Sequence, residues 1–187
     1  MYKSSFLTGR LMIREYKKSD IDGFLRVVHQ KEILATTYGI PENYTRRHAK
    51  WWMRILRQNR IYKTSYEYAV ILRENGEYIG NVGLINIDPR HYHADISYYI
   101  DKDYMNQGIA TEASLAMLEY GFSELGFRKI NGVCMSVNIP SRRVMEKIGM
   151  SYEGTLRKDL YKDGIFYDLD RFSILKEEYY TGSKVEN

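Results

Sequence analysis

The run YEYAVILRENGEYIGNVGLINID, residues 66–88, constrains the fold of this chain more than any other segment. Its two β-rich stretches meet at Asn75-Gly76, the dipeptide that most readily supplies the positive φ angles of a tight hairpin. After the turn-prone DPRHYH, the segment ADISYYID has the length and the isoleucine and tyrosine content of a third antiparallel strand. From Gly108 to Leu125, Ile109, Ala113, Leu115, Ala116, Leu118, Tyr120 and Phe122 recur at helical spacing, and Gly126 stands where a C-terminal cap belongs. RKINGVCMSV then reads as a strand. A helix joining two strands is a crossover, so the strands on either side of it are expected to run parallel.

The flanks extend this pattern. RLMIREY reads as a strand and SDIDGFLRVVHQ as a helix with Ser19 or Asp20 as N-cap. The turn-rich TTYGIPENYT leads to RRHAKWWMRILRQNR, a helix with an apolar stripe of Trp51, Trp52, Ile55 and Leu56 and Lys or Arg on its other side. NIPSRRVMEKIG reads as a short helix stopped by Gly149, and MSYEGTLRKDLYKDGIFYDLDRFSIL as a final hairpin turned at Asp163-Gly164. The expected class is α/β (α+β), with a sheet that is antiparallel at first. With 187 residues and no repeats or linkers, one domain is expected over 1–180, with 181–187 as a disordered tail. No window holds the roughly 18 consecutive apolar residues of a membrane helix, the N-terminus lacks the apolar core of a secretory signal, and Cys134 is the single cysteine. A cytoplasmic protein with no membrane partner is the expectation. The net charge of +4 mildly favours acidic ligands.

The sharpest local feature is DKDYMNQGIATEASLAMLEYGF, where one glycine, Gly108, precedes the long helix. A helix N-terminus leaves about four N–H groups without intrahelical partners and carries roughly half a positive charge, so it suits a phosphate. A small-residue helix start also occurs in folds that bind nothing there.

MNQGIATEA followed by NIPSRRVMEKIGM resembles the Gcn5-related N-acetyltransferase (GNAT) family, in particular the branch of ribosomal-protein N-terminal acetyltransferases and spermidine acetyltransferases. The similarity runs from LMIREYKKSD through the meander to GTLRKDLYKDGIFYDLDRFSIL. It implies a mixed, mostly antiparallel central sheet with a splayed parallel strand pair and flanking helices. It also implies acetyl-CoA as cosubstrate. The family's pyrophosphate loop, Arg/Gln-x-x-Gly-x-Gly/Ala, maps onto Met105 to Ala110, and Met105 departs from it. Because such a loop binds through backbone N–H groups, the departure removes one side-chain contact only. The resemblance puts Gln107, Gly108, Ile109, Ala110 and Thr111 around the phosphates and Asn138 at the pantetheine. It brings Arg142 and Arg143 towards CoA phosphates, a solvated helix face being the alternative for either one. The backbone of Tyr99 and Ile100 would pair with the pantetheine amides, and the Ile100 amide would polarise the thioester carbonyl.

The implied reaction is attack of a primary amine on the thioester. An amine with a lysine-like pKa near 10 is mostly protonated at neutral pH, so a base or water relay helps. Asp95 takes the place of an acidic residue in similar sequences; an ordinary strand aspartate is the alternative. His91 and His93 are relay or substrate-contact candidates, solvated loop histidines being the alternative, and without further cysteines or well-placed histidines nearby their H-x-H pattern is weak evidence of a metal, so none is expected. Met145 stands where the family often has a tyrosine that protonates the leaving thiolate, which makes Ser141 the first choice for that hydrogen bond, ahead of Tyr104 or Tyr161. Cys134, in an apolar strand without a basic partner, argues against an acetyl-cysteine route. Of Trp51 and Trp52, one is expected in the core and the other at the acceptor. The acceptor expected first is a protein N-terminal amine, as on a ribosomal protein; second is a polyamine, with Asp95 and Glu42 starting an acidic pocket. A non-catalytic CoA-binding module is a third reading. RRHAKWWMRILRQNR is read as a solvated basic face rather than a nucleic-acid site, and a homodimer is open to the chain.

Overall fold

Gly76, at φ +73°, turns the central hairpin as its dipeptide requires, and the Asn75 side chain locks the turn by accepting a 2.9 Å hydrogen bond from the Glu77 amide. The turn joins β3 (Tyr66–Leu72) to β4 (Tyr78–Asp88), and β5 (His93–Ile100) follows antiparallel on β4. In this computed structural model, which describes residues 3–37, 39–41 and 43–182, the meander is the centre of an eight-stranded sheet. On one flank lie β1 (Ser5–Leu7) and β2 (Leu11–Arg14); on the other lie β6 (Lys129–Met135), β8 (Ile165–Leu175) and β7 (Ser151–Lys162), in that spatial order. As the crossover argument expects, β5 and β6 run parallel, and the other neighbouring pairs are antiparallel.

Helices cover both faces. On one face α4 (Ile109–Ser123) and α5 (Ile139–Lys147) press Ile109, Ala113, Met117, Leu118 and Met145 onto Val70, Val82, Leu84 and Ile130. On the other face α1 (Ile21–Val28) and α3 (Arg46–Tyr62) bring Phe24, Val27, Val28 and Ala49 onto Ala69, Ile71 and Tyr78, with Trp52 packed at the edge. Each large apolar side chain fully removed from water here contributes about 1.5–3 kcal/mol. Trp52 stacks on Phe24 at 4.9 Å and also lines the cleft described below, whereas Trp51 is 58% exposed and outside that cleft, so the expected split into one core and one acceptor tryptophan does not hold. Thr45 caps α3 by accepting from the His48 amide, and His48 Nδ1 accepts from the Thr45 amide in return.

Three elements were not expected: β1, α2 (Lys31–Thr36) and α6 (Lys176–Gly182), each of seven residues or fewer and too short to show a period. Helix α6 takes in Thr181 and Gly182 of the expected tail, and 183–187 lie outside the described residues. The expected cap of α1 is replaced by something stronger. Residues Lys18–Asp20 form a 3-10 turn, and the Asp20 carboxylate caps no amide of α1; it accepts from the Lys17 amide and takes both arms of the Arg14 guanidinium at 2.7 and 2.8 Å.

An ion pair between a partly exposed arginine and a buried carboxylate ties α1 to the end of β5. Asp101 is fully buried and accepts from Arg26 of α1, from Gln30 at 2.8 Å and from the Asp103 amide. Arg26→Met is expected to leave that carboxylate without its cation and to cost about 1–2 kcal/mol, less than a fully buried pair because Arg26 is itself partly exposed. Urea unfolding will show a lower midpoint at unchanged slope.

Candidate active site

β5 and β6 separate after three paired positions. His93, Ala94 and Asp95 face Lys129, Ile130 and Asn131; beyond them β5 stays with β4 as far as Gly80 opposite Ile100, and β6 stays with β8 as far as Met135 opposite Leu169. A cleft of about 570 Å³ lies along this separation and runs past the N-termini of α4 and α5. The Asp101 amide donates to the Ile79 carbonyl at 2.8 Å. Antiparallel pairing alternates, so the Tyr99 backbone also faces β4, and the amides of Tyr98 and Ile100 face the edge that β6 has left. Of the two residues named from the sequence, Ile100 turns its amide to the open edge and Tyr99 does not; Tyr98 carries the second free amide. The Tyr99 side chain points to the other layer, with its hydroxyl 3.1 Å from that of Tyr78.

At the head of the cleft Gly108 adopts φ +75° and Asn106 φ +60°, and the first helical bond of α4 runs from the Glu112 amide to the Gly108 carbonyl. This leaves the amides of Ile109, Ala110 and Thr111 free at a positive helix end, the geometry that holds a phosphate. Met105 is half-buried, packing against the cluster beneath α1 and α3 while also lining the cleft, which accounts for an apolar residue at that position. Gln107 turns back to the Asp103 carbonyl and lies outside the cleft lining. Sequence reasoning missed Arg10. Its guanidinium donates to the Gln107 carbonyl at 2.8 Å and to Glu112 at 2.7 Å, and a Cβ on Gly108 would stand 3.5 Å from it. Burial raises the Glu112 carboxyl, but the hydrogen bonds from Thr8 and Arg10 outweigh that and hold it below its usual range. Arg10 is nearly one hundred residues from the loop in sequence, so no local motif could have signalled it.

Helix α5 closes the other wall. Asn138 caps it by accepting from the Ser141 amide at 3.2 Å, with Pro140 in the first turn. The Ser141 hydroxyl lies 3.0 Å from the Tyr98 hydroxyl, which also donates to the Ser141 carbonyl. A phenol, that of Tyr98, therefore stands in the cleft wall beside Ser141, while Met145 is buried against Gly132. Of the other tyrosines considered, Tyr104 donates to Glu77 and Tyr161 packs on Phe166. The two arginines part. Arg142 binds Glu146 at 3.0 Å and reaches Asp170, lying over Tyr152 and away from the cleft, whereas Arg143 lines it without an ion pair to any described residue. Burial pushes the Cys134 thiol up to about 11, which keeps it protonated and a poor nucleophile.

At the far end Asp95 accepts from Asn86 at 2.9 Å and from Asn131 at 3.1 Å, one amide on each oxygen. A second carboxylate, Glu67, was passed over in the sequence. Gly83 makes room for it, because a Cβ there would fall 2.7 Å from Glu67 Cγ. Glu67 lines the cleft beside Asn81, and burial pushes its carboxyl up to about 7 while hydrogen bonding with Asn81 pulls it down. Its one signal in sequence is a lone acid in an apolar strand. Glu42, considered with Asp95 for an acidic pocket, lies outside the described residues. The remaining histidine candidates, His91 and His93, lie at the outer end of the β4–β5 hairpin, where His91 pairs with Asp88.

The two arginines give a direct test of the cleft. Arg143→Ala is expected to weaken CoA binding about fivefold, the share of one charge-assisted contact, and Arg142→Ala to leave it unchanged. Isothermal titration with CoA separates them.

An acetyltransferase (GNAT) domain model matches residues 10–151. The uncharacterized N-acetyltransferase YnaD of Bacillus subtilis is 33% identical over 173 residues, 92% of this chain and 97% of that protein. YdaF of the same organism, whose naming as a ribosomal N-acetyltransferase is provisional, is 37% identical over 106 residues, 56% of this chain and 57% of its own. The crystal structure of a GNAT-family acetyltransferase from Bacillus anthracis superposes with a TM-score of 0.81 at 27% identity, covering 93% of this chain and 99% of that one. With the splayed strands, the open amides of α4 and these similarities together, the chain belongs to the Gcn5-related N-acetyltransferase family.

Proposed function

We propose that the protein transfers the acetyl group of acetyl-CoA to the N-terminal amine of a protein whose leading residues are acidic. The free amides of Tyr98 and Ile100 suit the pantetheine arm, those of Ile109 to Thr111 suit the pyrophosphate, and the acceptor enters from the end holding Glu67 and Asp95. Glu67 takes the proton from the incoming ammonium: a carboxyl poised near 7 is half ionised at working pH and matched to that task. The Ile100 amide meets the carbonyl oxygen as negative charge develops, and the Tyr98–Ser141 hydroxyl pair hydrogen-bonds the leaving sulfur.

The observation that carries the acceptor choice is the charge of α3. This helix has no acidic residue, and its outward Arg47, Lys50, Arg54 and Arg57 make no ion pair with a described residue. Its inward Trp52 lines the acceptor end of the cleft. Such a helix attracts an acidic chain and repels a polyamine, while the carboxylates inside receive the single amine. The ribosomal naming of YdaF agrees with a protein acceptor.

A mass-spectrometric acceptor screen tests this. Peptides beginning with a small residue followed by acidic ones are expected to gain one acetyl group at the α-amine, with kcat/KM falling as salt rises. Turnover of spermidine with none on peptides overturns the acceptor assignment; CoA binding with no turnover on any amine favours a binding module. Glu67→Gln is expected to lower kcat about 100-fold and to remove the limb of the pH profile near 7. Stability supplies the sign: burial raises the folded carboxyl from 4.5 to about 7, so the wild type loses stability as pH rises between those values and Glu67→Gln does not. Melting temperatures at pH 5 and pH 8 check it.

A further inference from the structure

We propose that Asp88, His91 and His93 form a binding site for a divalent transition-metal ion of the zinc class, at the outer end of the β4–β5 hairpin. One donor atom from each of the three lies within 4.8 Å of the others, and Asp88 Oδ2 and His91 Nδ1 are already 3.0 Å apart. Donors around a tetrahedral zinc, each about 2.0–2.2 Å from the ion, stand about 3.4 Å apart, so the Asp88–His91 pair is already close enough and the wider separations must close by about an ångström on binding. The His91 and His93 rings lie nearly parallel, at 17° with centroids 6.1 Å apart, so both must tilt towards each other to aim a nitrogen at one ion.

Two independent features favour a ligand here over a simple ion pair. The His93 ring makes no hydrogen bond to any described residue, and its Nδ1 is shut off from solvent, a state that costs a buried polar atom free energy unless something binds the ring. The Asp88 carboxylate is preorganised as well: its Oδ1 accepts from the Arg90 amide at 2.8 Å and the His91 amide at 3.1 Å, leaving Oδ2 for the ion. Two imidazoles and one carboxylate select zinc or a neighbouring transition metal over calcium or magnesium, which take oxygen donors. The third ligand, Asp88, lies in the same DPRHYH segment as the H-x-H pair, and a bulge, where the register slips between Ile85 and Asp88, sets it opposite His93.

That bulge also contains Asn86, at φ +49°, which donates to Asp95 inside the cleft. An ion joining Asp88 to His93 fixes both strands of the bulge and, through Asn86, the position of Asp95. The site needs only the geometry of the hairpin and is independent of the acceptor proposed above.

The test is titration of the full chain with Zn²⁺ in competition with a chromogenic chelator. One equivalent is expected to bind, the melting temperature to rise with Zn²⁺, and His91→Ala or His93→Ala to weaken binding about 100-fold and abolish the rise. His48→Ala, on α3, is expected to retain both responses. Binding of no Zn²⁺ by the wild type, equal binding by the His91 and His93 variants, or a preference for Ca²⁺ over Zn²⁺ each overturns the proposal. Because the readouts are binding and melting, they stand whatever the acceptor screen returns.

Discussion

The parting of β5 from β6 is the constraint on which the rest of the site depends. Had the parallel pairing continued past Asp95 and Asn131, the amides of Tyr98 and Ile100 would bond to β6 and the sheet would have no gap. A parallel edge exposed in this way has unpaired donors and acceptors, which an extended arm with amide groups of its own can satisfy. Antiparallel neighbours hold the two strands apart: β4 keeps β5 and β8 keeps β6 over their full remaining lengths. The Tyr98 hydroxyl on Ser141 braces the opening from one strand to α5 across the gap.

Charge is arranged at both ends of the same cleft. Arg10 and Arg143 stand near the helix ends that suit phosphate, while Glu67 and Asp95 stand at the end that suits an amine. The two carboxylates differ in their surroundings. Each oxygen of Asp95 accepts a side-chain amide, whereas burial dominates at Glu67 and places it where a proton can be taken up and released near neutral pH. Gly83 permits this second arrangement, since any side chain there would occupy the space of Glu67.

Much of the fold was legible because its signals are local. Asn75-Gly76 and Asp163-Gly164 fix two hairpins, the spacing from Ile109 to Phe122 fixes α4, and the crossover rule then gives the parallel pair. Gly108, Asn138 and Ser141 were legible for the same reason, each belonging to a short contiguous motif at a helix start. What the sequence hid depends on contacts between distant segments. Arg10 reaches the loop from the β1–β2 turn, and Glu67 enters the cleft because a different strand has a glycine. The exchange of Tyr99 for Tyr98 has another cause: strand alternation inverts with a one-residue slip, and the register is set by pairing with β4 rather than by composition. Arg142 and Arg143 likewise sit side by side in sequence but point apart on a helix, where Asp170 and Glu146 draw Arg142 away.

Amide hydrogen exchange followed by NMR, with and without CoA, tests the splayed-strand account most directly. The account predicts new protection at the amides of Tyr98, Ile100 and Ile109 to Thr111, and none at Tyr99, whose amide already faces β4. Protection confined to α3, or equal gains at Tyr98, Tyr99 and Ile100, would contradict it.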